Sequence, residues 1–191
     1  MRAARAAMRT LAAGLMLGLT ACDGGAVAMA DYPAYDTVGD LADAADVVVD
    51  GVVLDERTED IVTQMDSMSD DPYLNPQAGL PDDGEPPDYP AEPYLVYRIE
   101  VKTDFKGALS PGDVIEVKVG LRPTAEPVPH LDVGDEYLLF LSEPYGEVPR
   151  SMLNPDQAAY RVEEDGGYSS LRPESTIALE VTRAELEALA G

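Results

Sequence analysis

Cys22 is the only cysteine of the chain, and its surroundings carry the most specific chemistry in the sequence. It closes the motif Leu19-Thr20-Ala21-Cys22, directly after a short apolar run. Small residues before a cysteine let the backbone enter a signal peptidase in extended form, and the thiol can then accept a diacylglyceryl group as a thioether. The motif therefore predicts a lipoprotein signal peptide over residues 1–21 and lipidation of Cys22.

The segment before Cys22 is built as a secretory leader. Arg2, Arg5 and Arg9 make its start positive, and residues 11–19 are apolar but too few to cross a hydrocarbon core of about 30 Å. Acyl chains contribute about 0.8 kcal/mol for each buried CH₂ group, so several chains on one sulfur anchor a protein durably. The sequence predicts an exported protein that is held at a bacterial membrane by lipid.

Asp23 and Ala30, which both follow the motif, bear on the final location of the protein. In Gram-negative bacteria, an aspartate such as Asp23 directly after a lipidated cysteine favours retention at the outer face of the cytoplasmic membrane. The alternative is cleavage by ordinary signal peptidase after Ala30, which follows a small-x-small pattern and would release a secreted protein. Lipidation is favoured because Cys22 adjoins the apolar run, whereas Ala30 lies beyond a polar break.

Charge limits the possible partners. The chain has 37 acidic and 13 basic residues, and three of the basic residues lie in the leader, so a chain that starts at Cys22 has ten basic residues and a formal charge of −27. Such an anion lacks the basic stripe that neutralises phosphates, so we expect no nucleic-acid binding. Anionic headgroups would repel it as well, which leaves the lipid anchor as the contact with the membrane and a basic protein as the fitting partner.

The acidic residues concentrate in one stretch. Residues 56–93 combine many carboxylates with seven prolines and few apolar side chains. Burial of such a segment cannot offset the entropy of ordering it, so the composition predicts a flexible acidic insertion. Its oxygen donors make weak calcium or cation binding an alternative function, although no part fits an EF-hand. The candidate donors are Asp66, Asp70, Asp71, Asp82, Asp83 and Glu85.

The remaining candidates for chemistry are sparse. His130 is the only histidine and has no thiolate to share a metal with, so we expect a surface or turn residue. Met65 and Met68 could offer thioethers to Cu(I), but two methionines in an acidic loop usually bind nothing. Paired carboxylates permit a hydrolase in principle. We therefore predict no catalytic residues, no metal and no cofactor, with a carboxylate-dependent hydrolase as a further alternative.

The positioning elements are mainly β-strands. Alternating apolar residues and turn signals predict five or six strands, and the strand at 137–141, apolar on both faces, is expected to be the most buried. Gly51 within a β-branched run predicts a bulge or bend. Capping boxes that begin at Thr37 and Thr182 predict a short N-terminal helix through Ala45 and a closing helix. The other strands are expected near 47–54, 95–102, 114–119, 160–162 and 168–171.

Three runs of this sequence resemble the core strands of netrin-like domains. They are Ala45-Asp46-Val47-Val48-Val49-Asp50-Gly51-Val52-Val53, then Tyr97-Arg98-Ile99-Glu100-Val101 running to Phe105-Lys106-Gly107, and Val133-Gly134-Asp135-Glu136-Tyr137-Leu138-Leu139-Phe140. The resemblance covers about half of the mature chain and implies a small OB-like barrel, a fold also found in tissue inhibitors of metalloproteinases and in many bacterial lipoproteins. Those inhibitors use a free N-terminal cysteine amine and several disulfides, whereas Cys22 is the only cysteine here, so inhibition by that mechanism is not expected.

Together these observations predict a signal peptide over 1–21, a tether over 22–36 and one β-rich OB-like domain over 37–191 that carries the insertion at 56–93. The function expected from them is a non-enzymatic binding or structural module, displayed outside the cytoplasm on a lipid anchor.

Overall fold

The protein is mostly β. The structure, a computed structural model, describes residues 32–62, 91–121, 128–144 and 146–189. It contains one mixed sheet of seven strands and two short helices, α1 (Val38–Ala44) and α2 (Arg183–Leu189). The strands are β1 (Val47–Ile61), β2 (Glu92–Lys106), β3 (Val114–Gly120), β4 (Glu136–Leu141), β5 (Arg150–Ser151), β6 (Ala159–Val162) and β7 (Tyr168–Ser170).

The strand order is β5-β3-β2-β1-β4-β6-β7, and every pair is antiparallel except β3 with β5. The predicted mostly β class is confirmed, but the predicted count of five or six strands is wrong. The strand that the sequence did not reveal is β5, which has only two residues and therefore shows no alternation. The sheet itself runs from an edge at β5 to an edge at β7 and is not a closed ring.

β1 and β2 form a long two-stranded ribbon. They stay paired from Val48 with Lys106 out to Ile61 with Glu92. Residues 56–61 and 92–93 were assigned to the flexible insertion, but they belong to these strands, because β pairing with a partner outweighs their polar composition. The part of the insertion between them, residues 63–90, lies outside the described residues.

Gly51 is where β1 bends. The register shifts between Asp50 and Gly51, and a Cβ at Gly51 would lie 2.5 Å from Ile99 Cγ2 and 3.0 Å from the Glu100 carbonyl oxygen. Only a residue without a side chain permits so close an approach of the two strands. The predicted irregularity at Gly51 is confirmed.

The core is centred on β4. All five residues from Tyr137 to Leu141 are fully buried, which confirms the prediction for this strand. β4 lies between β1 and β6, and Val49 faces Leu139 across the β1–β4 pair. The two-sided burial explains why this strand is apolar without alternation.

Both helices start at the predicted capping boxes. The Thr37 hydroxyl accepts from Asp40 N at 3.1 Å at the start of α1. At α2, Glu185 N donates to Thr182 Oγ1 at 3.3 Å while Thr182 N donates back to Glu185 Oε2 at 2.9 Å. Each helix is only seven residues long, and neither is long and apolar enough to span a membrane, which holds for all described helices.

Residues 150–153 lie between β3 and β4. Val117 and Lys118 pair in parallel with Arg150 and Ser151. On the other side, Ser142 N donates to the Ser151 carbonyl at 2.9 Å, Leu153 N donates to the Phe140 carbonyl at 3.3 Å, and Leu141 forms an isolated bridge with Met152. This segment therefore contacts two strands that are far apart in the sheet order.

The N-terminal segment is fastened to the body by two buried amides. Gln157 Nε2 donates to the Tyr35 carbonyl at 2.8 Å, and Tyr35 N donates to Gln157 Oε1 at 2.9 Å. Asn154 Nδ2 donates to the Pro33 carbonyl at 2.9 Å. The tether predicted over 22–36 thus joins the body by Pro33, and its residues up to 31 lie outside the described part of the chain.

Candidate functional site

Asp50 is the only carboxylate among the described residues that is almost fully buried, with 1% of the residue exposed. It lies on β1 opposite Leu138 of β4, in the middle of an otherwise apolar run. The Tyr168 hydroxyl on β7 donates to Asp50 Oδ2 at 3.1 Å, and Arg183 Nη2 on α2 lies 3.5 Å from the same oxygen. Asp50 therefore joins the first strand to the last strand and to the closing helix.

The environment of Asp50 disfavours its charged form. Burial raises the pKa of Asp50 to about 6, an effect that the Tyr168 hydrogen bond and the Arg183 charge only partly offset and the Glu136 charge increases. Both partners bind Oδ2, and Oδ1 is buried without a hydrogen-bond partner. This carboxyl can take up a proton near pH 6, but it lies beneath the side chains that cover it.

Tyr168 and Arg183 form the cover over Asp50. The Arg183 guanidinium carbon lies 5.8 Å from the centroid of the Tyr168 ring, within the range of a cation–π contact. Burial and the Asp50 charge raise the pKa of the Tyr168 hydroxyl, so it remains a hydrogen-bond donor at neutral pH. The contacts among Asp50, Tyr168 and Arg183 attach α2 to the sheet.

A second polar cluster precedes β4. The buried Tyr97 hydroxyl accepts from Leu131 N at 3.2 Å and lies 3.1 Å from His130 Nδ1. The buried Tyr137 hydroxyl accepts from Asp132 N at 2.9 Å. Burial raises the pKa of both tyrosines, which therefore stay protonated and pin residues 130–132 against the sheet.

Arg161 completes this cluster. It lies 2.7 Å from a carboxylate oxygen of Asp132 and 2.7 Å from one of Asp135, and its Nη2 donates to the Tyr137 hydroxyl at 3.2 Å. The guanidinium bridges the two acids on either side of the turn that leads into β4. This cluster holds the turn in place.

A third set of charges covers the outer half of the ribbon. Arg57 bonds Glu116 on β3 at 2.8 Å and Glu59 on its own strand at 2.7 Å. Val96, which pairs with Arg57, is fully buried although alternation predicts it to be exposed. The aliphatic part of Arg57 explains this difference, because long charged side chains cover apolar surface while their ends stay in water.

The residues singled out from the sequence are placed as follows. His130 is exposed and lies between two buried residues before β4, with Nε2 3.9 Å from Asp132, as expected for a surface or turn residue. Cys22, Met65, Met68 and all six candidate calcium donors lie outside the described residues. Within the described part of the chain, no group of three or more His, Cys, Asp or Glu side chains could hold a metal ion.

Asp50, Tyr168 and Arg183 were not identified from the sequence. The available signal was a lone acid inside the β-branched run of residues 47–54, which burial makes costly unless a partner is present. The partners themselves are distant in sequence and could not be assigned. Comparison with models of known protein families and with curated proteins gives no match to this chain.

Proposed function

We propose that the protein is a lipid-anchored, extracytoplasmic binding module rather than an enzyme, and that it binds a basic protein partner. The proposal is carried by one observation, the position of the acidic insertion relative to the sheet. Residues 62–91 join the outer ends of β1 and β2, and this connection contains seven acidic residues and no lysine or arginine. This acidic connection without any basic residue therefore starts and ends at the tip of the β1–β2 ribbon.

The described polar clusters support a binding rather than a catalytic role. The hydroxyls of Tyr97 and Tyr137 are engaged by backbone N–H groups, and Asp50 is engaged by Tyr168 and Arg183. These groups hold a turn and a helix. An acidic surface presented on such a scaffold attracts cationic partners and speeds their association at low salt.

We further infer an OB-type barrel and a relation to netrin-like domains. Support comes from the contacts of residues 150–153, which are parallel to β3 and bonded to β4. Together with the β1–β2, β2–β3 and β1–β4 pairs, these contacts would complete the cyclic neighbour order β1-β2-β3-β5-β4, which the strand pairs of the sheet alone leave open between β5 and β4. A five-stranded Greek-key barrel of this kind is the OB architecture.

The anchor is tested by the mass and partition of the mature protein. We expect the full chain, expressed in a bacterium that processes lipoproteins, to begin at Cys22, carry added acyl mass and enter the detergent phase on phase separation. Cys22→Ser should abolish both the added mass and the partition. A mature chain that starts at Asp31 and remains in the aqueous phase would contradict the proposal.

The partner is tested by photocrosslinking in the same cells. A photoreactive residue at Asp70 or Asp83 should capture a protein with a net positive charge, and the yield should fall as salt is raised because exposed charges are screened beyond about 8 Å at physiological ionic strength. A matched probe at the exposed Glu164, in the turn between β6 and β7, should not capture it. When the photoreactive residue is placed at Asp60 instead, unchanged capture by a chain that lacks residues 66–88 would exclude the acidic connection as the binding element.

A further inference from the structure

We propose that the outer edge of β1, residues 54–61, binds an extended basic segment of the partner by strand addition. This inference rests on the proposed function and deepens it, because it names the surface and the form of the partner. In strand addition, main-chain hydrogen bonds supply affinity and alternate side chains supply specificity.

β1 is longer than the strand that covers its edge. β4 pairs with β1 only from Val47 to Val52. At the next residue, the turn before β4 closes the ladder, with Val53 N donating to the Asp135 carbonyl at 3.1 Å and Gly134 N donating to the Val53 carbonyl at 2.8 Å. From residue 54 onward, no described residue pairs with β1 on this side.

The direction in which the N–H and C=O groups of β1 point follows from the hydrogen bonds that β2 makes with β3, on the other side of the ribbon. On β2, the Pro93 carbonyl accepts from Leu121, and Val101 exchanges bonds with residues that flank β3. Antiparallel strands alternate the side to which successive residues bond. Odd-numbered residues of β2 between these two therefore bond toward β3, and even-numbered residues bond toward β1.

This alternation fixes which groups of β1 remain free. The even-numbered residues Tyr94, Val96 and Arg98 pair with Glu59, Arg57 and Asp55, so these three bond inward to β2. Glu56, Thr58 and Asp60 then direct their N–H and C=O groups away from β2, and in the described part of the chain nothing bonds to them. They form an open ladder of alternate residues collinear with β4, which we call the β1 edge.

The charge of the β1 edge selects the occupant. Asp55 is paired with Arg98 at 2.8 Å, and Glu59 is paired with Arg57 at 2.7 Å. Glu56 and Asp60, which belong to the β1 edge, are exposed and have no ion pair among the described residues. The edge therefore presents two uncompensated carboxylates beside its free backbone groups, and cationic side chains at alternate positions of an added strand would meet them.

A second copy of the same chain fits this edge poorly. Two β1 edges paired antiparallel about Thr58 would place Glu56 of one copy opposite Asp60 of the other. Like charges directly opposite each other destabilise a strand pair. Charge therefore favours a basic strand from another protein over self-association.

The test uses a defined probe and the full lipidated chain in detergent. The probe is a fluorescent ten-residue peptide of alternating lysine and valine, and its control replaces lysine by glutamate. We expect binding of the lysine peptide, measured by fluorescence anisotropy, and at least tenfold weaker binding of the glutamate peptide. Absence of lysine-peptide binding would overturn both this inference and the proposed function.

Two variants separate strand addition from simple charge attraction. Thr58→Pro removes one outward N–H and leaves every carboxylate, and proline is tolerated on edge strands where its nitrogen faces solvent. We expect it to weaken binding at least tenfold. Wild-type affinity in Thr58→Pro would overturn strand addition while leaving the acidic binding module intact. Glu56→Lys with Asp60→Lys should also weaken binding at least tenfold, whereas the matched exposed pair Glu164→Lys with Glu187→Lys should change affinity less than twofold.

Amide hydrogen exchange gives a readout that does not depend on the proline variant folding. Addition of the lysine peptide should slow exchange at the amides of Glu56, Thr58 and Asp60 at least tenfold and leave the inward-facing amides of Arg57 and Glu59 unchanged. Unchanged exchange at the three outward amides would overturn the inference. Protection of the same amides by concentration of the protein alone would show that a second copy is the occupant.

Discussion

The two halves of β1 share one backbone conformation and have opposite surroundings. Residues 47–53 lie between β2 and β4 and are mostly buried, whereas residues 54–61 have β2 on one side only and remain largely exposed until Ile61. The inner half is β-branched and apolar, and the outer half is mainly acidic. The comparison teaches that composition along a strand follows the number of its neighbours, so polarity alone does not mark the end of a strand.

The two halves of β1 should differ most in how much stability is lost when a leucine that pairs with each of them is truncated to alanine. Leu139 pairs with Val49 of the inner half and is fully buried, whereas Leu95 pairs with Thr58 of the outer half and is only partly buried. Leu139→Ala should lower the free energy of unfolding by about 2–5 kcal/mol, the usual cost of such a cavity. Leu95→Ala should cost about half as much or less. Urea denaturation measures the loss of unfolding free energy in both variants. Equal losses would contradict the proposed difference between the two halves of β1.

The buried acid of the inner half should make stability depend on pH. Because the pKa of Asp50 in the folded state is raised to about 6 from 3.8, the folded protein binds a proton more tightly than the unfolded chain. Through this group, stability is greatest below about pH 4 and falls as pH rises through about 6. At about 1.4 kcal/mol per pKa unit, the change is on the order of 3 kcal/mol.

Asp50→Asn isolates this contribution. The difference in unfolding free energy between the variant and the wild type should shift by about 2–3 kcal/mol in favour of the variant between pH 4 and pH 7.5. Asp55→Asn, on the exposed outer half of the same strand, is the matched control and should show less than about 0.5 kcal/mol of change. A parallel pH profile for Asp50→Asn and wild type would show that the carboxyl titrates normally.

The smallest effect is expected from the ion pairs of the outer half. Arg57 bonds two carboxylates whose hydrogen bonds raise the pKa of its guanidinium, but its side chain is 39% exposed. Exposed pairs contribute about 0–1 kcal/mol. Arg57→Met keeps the stem over Val96 and should cost less than about 1 kcal/mol, whereas Arg57→Ala uncovers Val96 and should cost more. Equal losses in the two variants would assign the stabilisation to charge, because both remove the guanidinium.

Local signals predicted the elements that local interactions determine. The capping boxes at Thr37 and Thr182 fix both helix starts, and the clash that any side chain at Gly51 would cause fixes the irregularity in β1. The unbroken apolar run of β4 predicted a strand buried on both faces. In each case the residues that make the structure lie next to one another in the sequence or repeat with the period of the element.

Long-range partners could not be predicted in this way. The insertion of β4 between β1 and β6, the parallel contact of β5 with β3, and the approach of Arg183 to Asp50 each join residues that are distant along the chain. Of the candidate site, only the strand at 47–54 that carries Asp50 was predicted. Which polar and charged side chains surround Asp50 depends on tertiary packing, and alternation and capping signals carry no information about it.

If Cys22 carries the proposed lipid, the hydrogen bonds from Asn154 and Gln157 to Pro33 and Tyr35 limit the distance between the body and the bilayer. From a lipidated Cys22 to the Pro33 carbonyl, which Asn154 holds, there are eleven residue steps. At about 3.3–3.6 Å per residue, this segment reaches only about 40 Å when it is fully extended. Loss of the Asn154 and Gln157 side-chain amides would free the chain as far as Thr37 and lengthen this standoff by about 14 Å. With the proposed anchor in place, these two buried side-chain amides would set how far from the bilayer the acidic ribbon can reach.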